Sequence, residues 1–136
     1  MMKVLNLSSQ DGVEFAFGSR YIPGGSTDDK WTICRFINSK IATLLAMPLS
    51  PVKDPMSGFF AISRTPWKRC RNLSPVGYKI GLEIFVKGKP RSFKEIPFHF
   101  RSRKLGKSKL TIKQQLLDLY HLYSLYGYKW KEKKRA

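Results

Sequence analysis

Asp54-Pro55-Met56-Ser57-Gly58-Phe59-Phe60 puts an acid, a rigid imino acid, a hydroxyl, a glycine and two aromatics side by side. Pro55 fixes its own φ and pushes Asp54 toward extended backbone. Gly58 offers a positive φ or room for a close approach. Phe59 and Phe60 carry large apolar surfaces that anchor the segment in a core. The expectation is a short polar loop with a carboxylate at its mouth and an apolar base. Alone, the same pattern also describes a turn before a buried strand. The segments on either side decide between the two.

Upstream, residues 31–47 read as a helix. Ile33, Ile37, Ile41, Leu44 and Leu45 recur at helical spacing as a core stripe, Asp28 or Asp29 supplies a cap, and Pro48 and Pro51 end the run. Trp31, Arg35 and Ser39 lie four apart and share a different face. Before this helix, residues 13–17 form a mostly buried strand that stops at Gly18-Ser19-Arg20-Tyr21. A loop rich in breakers covers 22–30, and residues 1–7 read as the last turns of a helix. Downstream, 59–62 is a short strand, 66–71 a helical turn, and 79–86 a helix with Ile80 and Ile84 inward. Residues 93–100 form a strand in which Pro97 points to an edge or a bulge. A basic, glycine-containing loop at 101–109 leads to the longest amphipathic helix, 110–126, with Ile112, Leu116, Leu119, Leu122, Tyr123 and Tyr126 on one side. The cationic run 129–135 around Trp130 is expected to fray.

The chain has 136 residues, of which 42% are hydrophobic, so it supports one globular core and not a disordered chain. Its net charge of +17 calls for an anionic partner: nucleic acid, a phosphorylated molecule or an acidic membrane surface. Cys34 and Cys70 fit no metal or redox spacing and read as free thiols. No apolar run approaches the roughly 18 residues of a spanning helix, and the first ten residues make a poor signal peptide.

Three segments suit an anion. Arg20 follows a strand, beyond whose carboxyl end ligands of open α/β sheets bind; pairing with Asp28 or Asp29 is its structural alternative. Arg35 and Ser39 combine a guanidinium fork with a hydroxyl, the pattern of a phosphate site or of a solvated helix face. The loop 103–109 brings Arg103, Ser108 and Lys109 together near a helix start, as a phosphate loop or a nonspecific basic patch. His99 and His121 stand alone and read as structural or exposed. Tyr120, Tyr123, Tyr126 and Tyr128 read as packing or an interfacial belt.

Taken in order, Gly18-Ser19-Arg20-Tyr21, Pro23-Gly24-Gly25-Ser26, Trp31 with Arg35 and Ser39, the 54–60 stretch, Gly77-Tyr78-Lys79-Ile80 with Leu82-Glu83, Glu95-Ile96-Pro97-Phe98, and Arg103 with Gly106 and Ser108-Lys109 form a specific series. The series resembles the polyprenyl-phosphate (dolichyl-phosphate) mannose synthases of inverting glycosyltransferase family 2, over residues 1–125. The resemblance implies an α/β fold, a partial nucleotide-sugar glycosyltransferase domain of the GT-A, Rossmann-like type. It implies transfer of mannose from GDP-mannose, or in relatives of glucose or another sugar from its nucleotide donor, to a polyprenyl or dolichyl phosphate. By resemblance, Arg20, Arg35 and Ser39 hold the acceptor phosphate, Arg103, Ser108 and Lys109 close on the donor diphosphate, and Asp54 is the acid at the catalytic centre. A divalent metal, Mg²⁺ or Mn²⁺, bridges the donor diphosphate in the family, held by an Asp-x-Asp motif; this sequence contains no Asp-x-Asp. The expectation is therefore an acceptor-side part at 1–127, lacking the N-terminal nucleotide-binding half, followed by a basic tail at 128–136. It is read as a truncated frame, or as one half of a split enzyme with a separately encoded N-terminal half, with little activity alone. Its expected place is cytoplasmic, peripheral at the membrane surface, where the positive charge suits anionic lipid. A noncatalytic lipid-phosphate or membrane-surface module is the alternative. A nucleic-acid binder is the weaker one, because the arginines fall in loop motifs with no nucleic-acid signature among them.

Overall fold

The computed structural model describes residues 12–27, 33–74, 79–101 and 112–135. At its centre lies strand β1, Phe15–Ser19, every residue of which is buried. β1 pairs antiparallel with β3 (Phe60–Ile62) and parallel with β4 (Phe93–Pro97), giving a mixed sheet ordered β3-β1-β4. Two short strands, β2 (Ser26–Thr27) and β5 (His99–Phe100), pair in parallel beside it. Four helices complete the described chain: α1 (Ile33–Ala46), α2 (Arg64–Arg69), α3 (Ile80–Gly88) and α4 (Ile112–Arg135). The architecture is mixed α/β.

A strand buried along its whole length needs cover on both faces, and alternation supplies it. Phe15 and Phe17 point to one face, where they pack with Val52, Ile84, Phe85 and Phe60; the two rings stack 4.4 Å apart. Ala16 points to the other, against Ile96, Phe59 and Ala61. The two phenylalanines of the 54–60 stretch thus brace opposite faces of the sheet, which fulfils their expected anchoring role. Gly18 is dictated by this packing, because a Cβ there would stand 2.7 Å from the Phe59 ring. A further cluster joins Ala46 and Leu49 to Leu82 and Val86 of α3 and to Leu122 and Leu125 of α4.

Three expectations are corrected here. On α1 the apolar stripe is not core: Ile33 is 75% exposed and Leu44 67%, with Ile37, Ile41 and Leu45 also exposed, while Thr43 and Ala46 are buried. Helical spacing defines an apolar surface without defining what covers it. On α4, His121, Leu122 and Leu125 face inward, whereas Leu116, Leu119, Tyr123 and Tyr126 are exposed. The rotation follows from polar docking. The Tyr126 hydroxyl donates to the Leu45 carbonyl at 2.5 Å, and His121 lies against buried Glu83. The run 129–135 does not fray; α4 continues through it, with Lys129 donating to the Pro48 carbonyl at 2.8 Å and Glu132 paired with Lys89 at 2.6 Å. Gly58 does not take the positive φ offered as one of its two uses; the other, room for a close approach, stands, since a Cβ there would meet open space. Pro97 ends β4 at the sheet edge, as expected of a residue without an N–H. The segment 1–7, Asp28, Asp29, Trp31, Gly77 and Tyr78 lie outside the described residues.

Candidate functional site

β1 delivers Arg20 to the edge of the sheet. Phe98 N–H donates to the Ser19 carbonyl at 3.0 Å, and Ser26 N–H to the Phe98 carbonyl at 3.2 Å, so the chain folds back closely after Arg20. Gly24 takes a φ of +86°, and a Cβ on Gly25 would stand 2.5 Å from the Ser19 carbonyl oxygen. The Pro-Gly-Gly-Ser run is therefore a tight return that fixes the backbone carrying Arg20.

Asp54 meets Arg20 from the other side. Val52 is buried in the aromatic cluster, the backbone N–H groups of Lys53 and Asp54 donate to Glu95 Oε1 at 3.0 and 3.3 Å, and Ser57 N–H closes a turn onto the Asp54 carbonyl. The carboxylate then accepts three bonds from one residue: Arg20 Nε at 2.7 Å and backbone N at 3.0 Å on Oδ2, and Nη2 at 2.8 Å on Oδ1. Side-chain exposure is 11% for Arg20 and 0% for Asp54. Burial works against the guanidinium charge, but the hydrogen bond and Coulombic attraction of Asp54 outweigh it and raise the Arg20 pKa above its ordinary value. Arg20 is thus a fixed cation. The carboxylate expected at the loop mouth sits instead beneath the guanidinium, because a buried acid in an apolar base needs a paired, hydrogen-bonded partner. Asp28 and Asp29, the surface partners considered for Arg20, lie outside the described residues.

Ser39 reaches the same place from α1. Its Oγ shares a hydrogen bond with the Tyr21 hydroxyl at 2.9 Å. The Arg20 guanidinium lies over the Tyr21 ring at 5.2 Å and the Lys40 ammonium at 3.8 Å. Arg35 falls on α1 four residues before Ser39; its side chain, and the segment holding Arg103, Ser108 and Lys109, lie outside the described residues.

Between α1 and α4 opens a cleft of about 620 Å³. Arg20 and Ser39 line it, as do Met56 to Phe59, and Phe98, Phe100, Leu119 and Leu122 help make it largely apolar. The structure thus unites Arg20, Ser39 and most of the 54–60 stretch at one cavity, with Asp54 behind Arg20. Lys79 and Asp118 also line it, paired at 3.1 Å. Sequence reasoning missed this pair, although Lys79 belongs to the Gly77-Tyr78-Lys79-Ile80 motif. It also gave no role to Glu95, whose motif position was the available signal.

The described acids do not fit a divalent cation. Both Asp54 oxygens are taken by Arg20, Glu95 holds two backbone N–H groups, Asp118 pairs with Lys79, and no three His, Cys, Asp or Glu side chains gather among the described residues. His121 is buried, with Nε2 3.3 Å from Glu83 Oε2, and is structural as expected. His99 is exposed and contacts Ser26 Oγ through Nδ1. No helix among the described residues is long and apolar enough to cross a membrane.

No protein-family profile matches the chain. It is 39% identical over 120 residues to the dolichol-phosphate mannosyltransferase of Pyrococcus furiosus, an alignment that takes in 85% of this chain and 34% of that protein. It is 37% identical over 123 residues to the dolichol-phosphate mannosyltransferase of Saccharomyces cerevisiae, covering 46% of that protein. The protein of the same name from Mycosarcoma maydis is 38% identical over 119 residues, 40% of its length. The chain thus spans between about a third and a half of the length of these relatives. Similarity at this level, across most of the chain, bears out the resemblance carried by the motif series.

Proposed function

With kinship to dolichol-phosphate mannosyltransferases as the premise, we propose that this chain forms the acceptor side of an inverting family 2 glycosyltransferase site of the GT-A type, transferring mannose from GDP-mannose to a polyprenyl or dolichyl phosphate. Residues 1–127 are the acceptor-side part of that domain and 128–136 its basic extension, at a cytoplasmic membrane surface. The observation that carries the reading is the cleft itself: a fixed guanidinium and a hydroxyl on its lining, within walls that are largely aromatic and aliphatic. An isoprenoid phosphate matches both parts, whereas a nucleic acid has no use for the apolar walls.

In this reading an oxygen of the acceptor phosphate attacks the sugar C1. The new O–C1 bond forms as the bond from C1 to the GDP diphosphate breaks, GDP leaves, and the configuration inverts. A phosphomonoester is already largely anionic at neutral pH, so it needs charge compensation and aim more than a base. Arg20 supplies the charge, and Arg35 and Ser39 complete the cradle. Asp54, at the centre of the motif, acts through Arg20 by fixing its orientation. Arg103, Ser108 and Lys109 close on the donor diphosphate. Metal binding falls to none of the residues named here, and the chain alone transfers little mannose.

Titration calorimetry with farnesyl phosphate, against farnesol, tests the acceptor role. The chain is expected to prefer the phosphate by roughly tenfold or more, and Arg20→Gln to remove that preference. Equal affinity of the native chain for the two would overturn the reading. Incubation of the chain with GDP-mannose, Mn²⁺ and a polyprenyl phosphate tests the rest; robust lipid-linked mannose would contradict its expected inactivity alone.

A further inference from the structure

Two ion pairs border the cleft, and they are built differently. Among the described lining residues, Arg20 and Lys79 are the cations and Asp118 is the acid. Arg20 is held by a fork of two side-chain bonds to a carboxylate that does not itself line the cavity. Lys79, at the start of α3, reaches Asp118 of α4 through Nζ–Oδ2 at 3.1 Å, and Asp118 does line the cavity. The two side chains are 14% and 15% exposed, so the pair is sheltered but within reach of a ligand. A guanidinium in a fork is fixed in direction, whereas an ammonium on a flexible stem moves between acceptors at small cost. Asp118 also has a second donor: Gln114 Nε2 lies 3.3 Å from its Oδ1. The carboxylate therefore keeps a hydrogen bond if Lys79 swings away.

Charge counting points the same way. Arg20 and Lys79 are balanced one for one by Asp54 and Asp118. A phosphomonoester carries more than one negative charge, so in a largely apolar cleft it calls for a second cation beside the fixed Arg20 guanidinium, because charge buried there without a partner is costly. Arg20 is committed to Asp54; Lys79 is exchangeable. Asp118 meanwhile repels any anion that fails to draw Lys79 off it.

Resting on the acceptor-cleft reading above, we propose that Lys79 is a second headgroup cation. It leaves Asp118 to bond the phosphate of a lipid monoester, and Asp118 sets how much negative charge a ligand must carry to be admitted. The pair is a positioning and specificity device, not a static strut between α3 and α4.

Calorimetric titration of the whole chain with farnesyl phosphate, with farnesol as the uncharged probe, tests this. Lys79→Gln is expected to weaken farnesyl phosphate binding roughly tenfold while leaving farnesol unchanged, and Lys79→Arg to restore most of the loss. Asp118→Asn is expected to strengthen farnesyl phosphate binding severalfold, a gain that loss of a merely structural pair would not give. Unchanged phosphate affinity in Lys79→Gln, or weakened binding in Asp118→Asn, would overturn the proposal while the native preference for phosphate over farnesol still stood. If Lys79→Gln does not fold, the sign of the Asp118→Asn effect decides alone. A native chain that does not distinguish the two probes would defeat the acceptor reading itself.

Discussion

Replacing Asp54 with asparagine removes one negative charge and almost no volume at a fully buried position. Three hydrogen bonds from Arg20 converge on that carboxylate, two of them from the guanidinium at 2.7 and 2.8 Å. Asparagine keeps one carbonyl oxygen for the backbone N–H of Arg20 but turns an NH₂ toward the guanidinium. The guanidinium, with a side-chain exposure of 11%, then loses its carboxylate without gaining water in its place. Breaking a buried pair by removing one partner costs about 3–5 kcal/mol. Against a total of about 5–15 kcal/mol for a domain, that is a large share, and it corresponds to a fall in melting temperature on the order of 10 °C. The assay is thermal and urea unfolding of Asp54→Asn, Arg20→Gln and the double variant. The double-mutant cycle should return a coupling of about 2 kcal/mol or more. Asp54→Asn melting within 2 °C or so of the native chain, a shift worth well under 1 kcal/mol, would refute the idea that this acid is buried to hold Arg20.

Other outcomes follow from the same geometry. Gly25→Ala drives a Cβ to 2.5 Å from the Ser19 carbonyl oxygen and 2.9 Å from the Arg20 carbonyl; these are backbone atoms, so about 1–3 kcal/mol of stability should be lost and farnesyl phosphate affinity with it, measured by urea unfolding and titration. Glu83→Gln disturbs a buried acceptor that binds Ser74 N–H, Lys87 and His121 at 2.8, 2.6 and 3.3 Å; hydrogen exchange at residues 118–125 of α4 should accelerate, while unchanged protection there would show that this node does not dock the helix. Burial raises the Cys70 thiol pKa, Glu83 adds to the rise and Lys87 opposes it. A raised thiol pKa favours the neutral form in the folded state. The contribution of Cys70 to stability is thus intact below an unfolded value of about 8.5 and declines as pH climbs through the folded one. Iodoacetamide should label the folded protein at pH 8.5 more slowly than the urea-unfolded chain.

What the sequence made legible was local or serial. The run 13–17 announced a buried strand, and β1 is buried throughout. The helix expected at 79–86 appears as α3, and the strand at 93–100 as β4 and β5, parted at Phe98 where the backbone turns to bond Ser19. Arg20 and Ser39 were picked as anion ligands from their chemistry, and both line the cleft. What stayed hidden depends on contacts between distant positions. The apolar stripes of α1 and α4 were visible, Leu122 among them, but which face packs is set by the tertiary contacts of Ala46, Leu122, Leu125 and the Glu83–His121 pair, which periodicity alone does not identify. Asp54 and Arg20 lie 34 positions apart, so the acid read as a free loop carboxylate until the fold placed it under a guanidinium. Lys79 and Asp118 escaped for the same reason. Each looks like an ordinary helix-surface charge, and only the closing of α4 over α3 makes them a pair at the cavity.

NMR of a sample labelled at Met, Ile and Leu methyls and at arginine Nε, titrated with farnesyl phosphate, locates the ligand most directly. The Arg20 Nε–H signal should shift in step with the methyls of Met56, Ile41 and Leu119, all on the cleft between α1 and α4. If those signals stay still while the exposed Ile33 and Leu44 of α1 respond, the lipid phosphate sits elsewhere and the cleft is not the acceptor site.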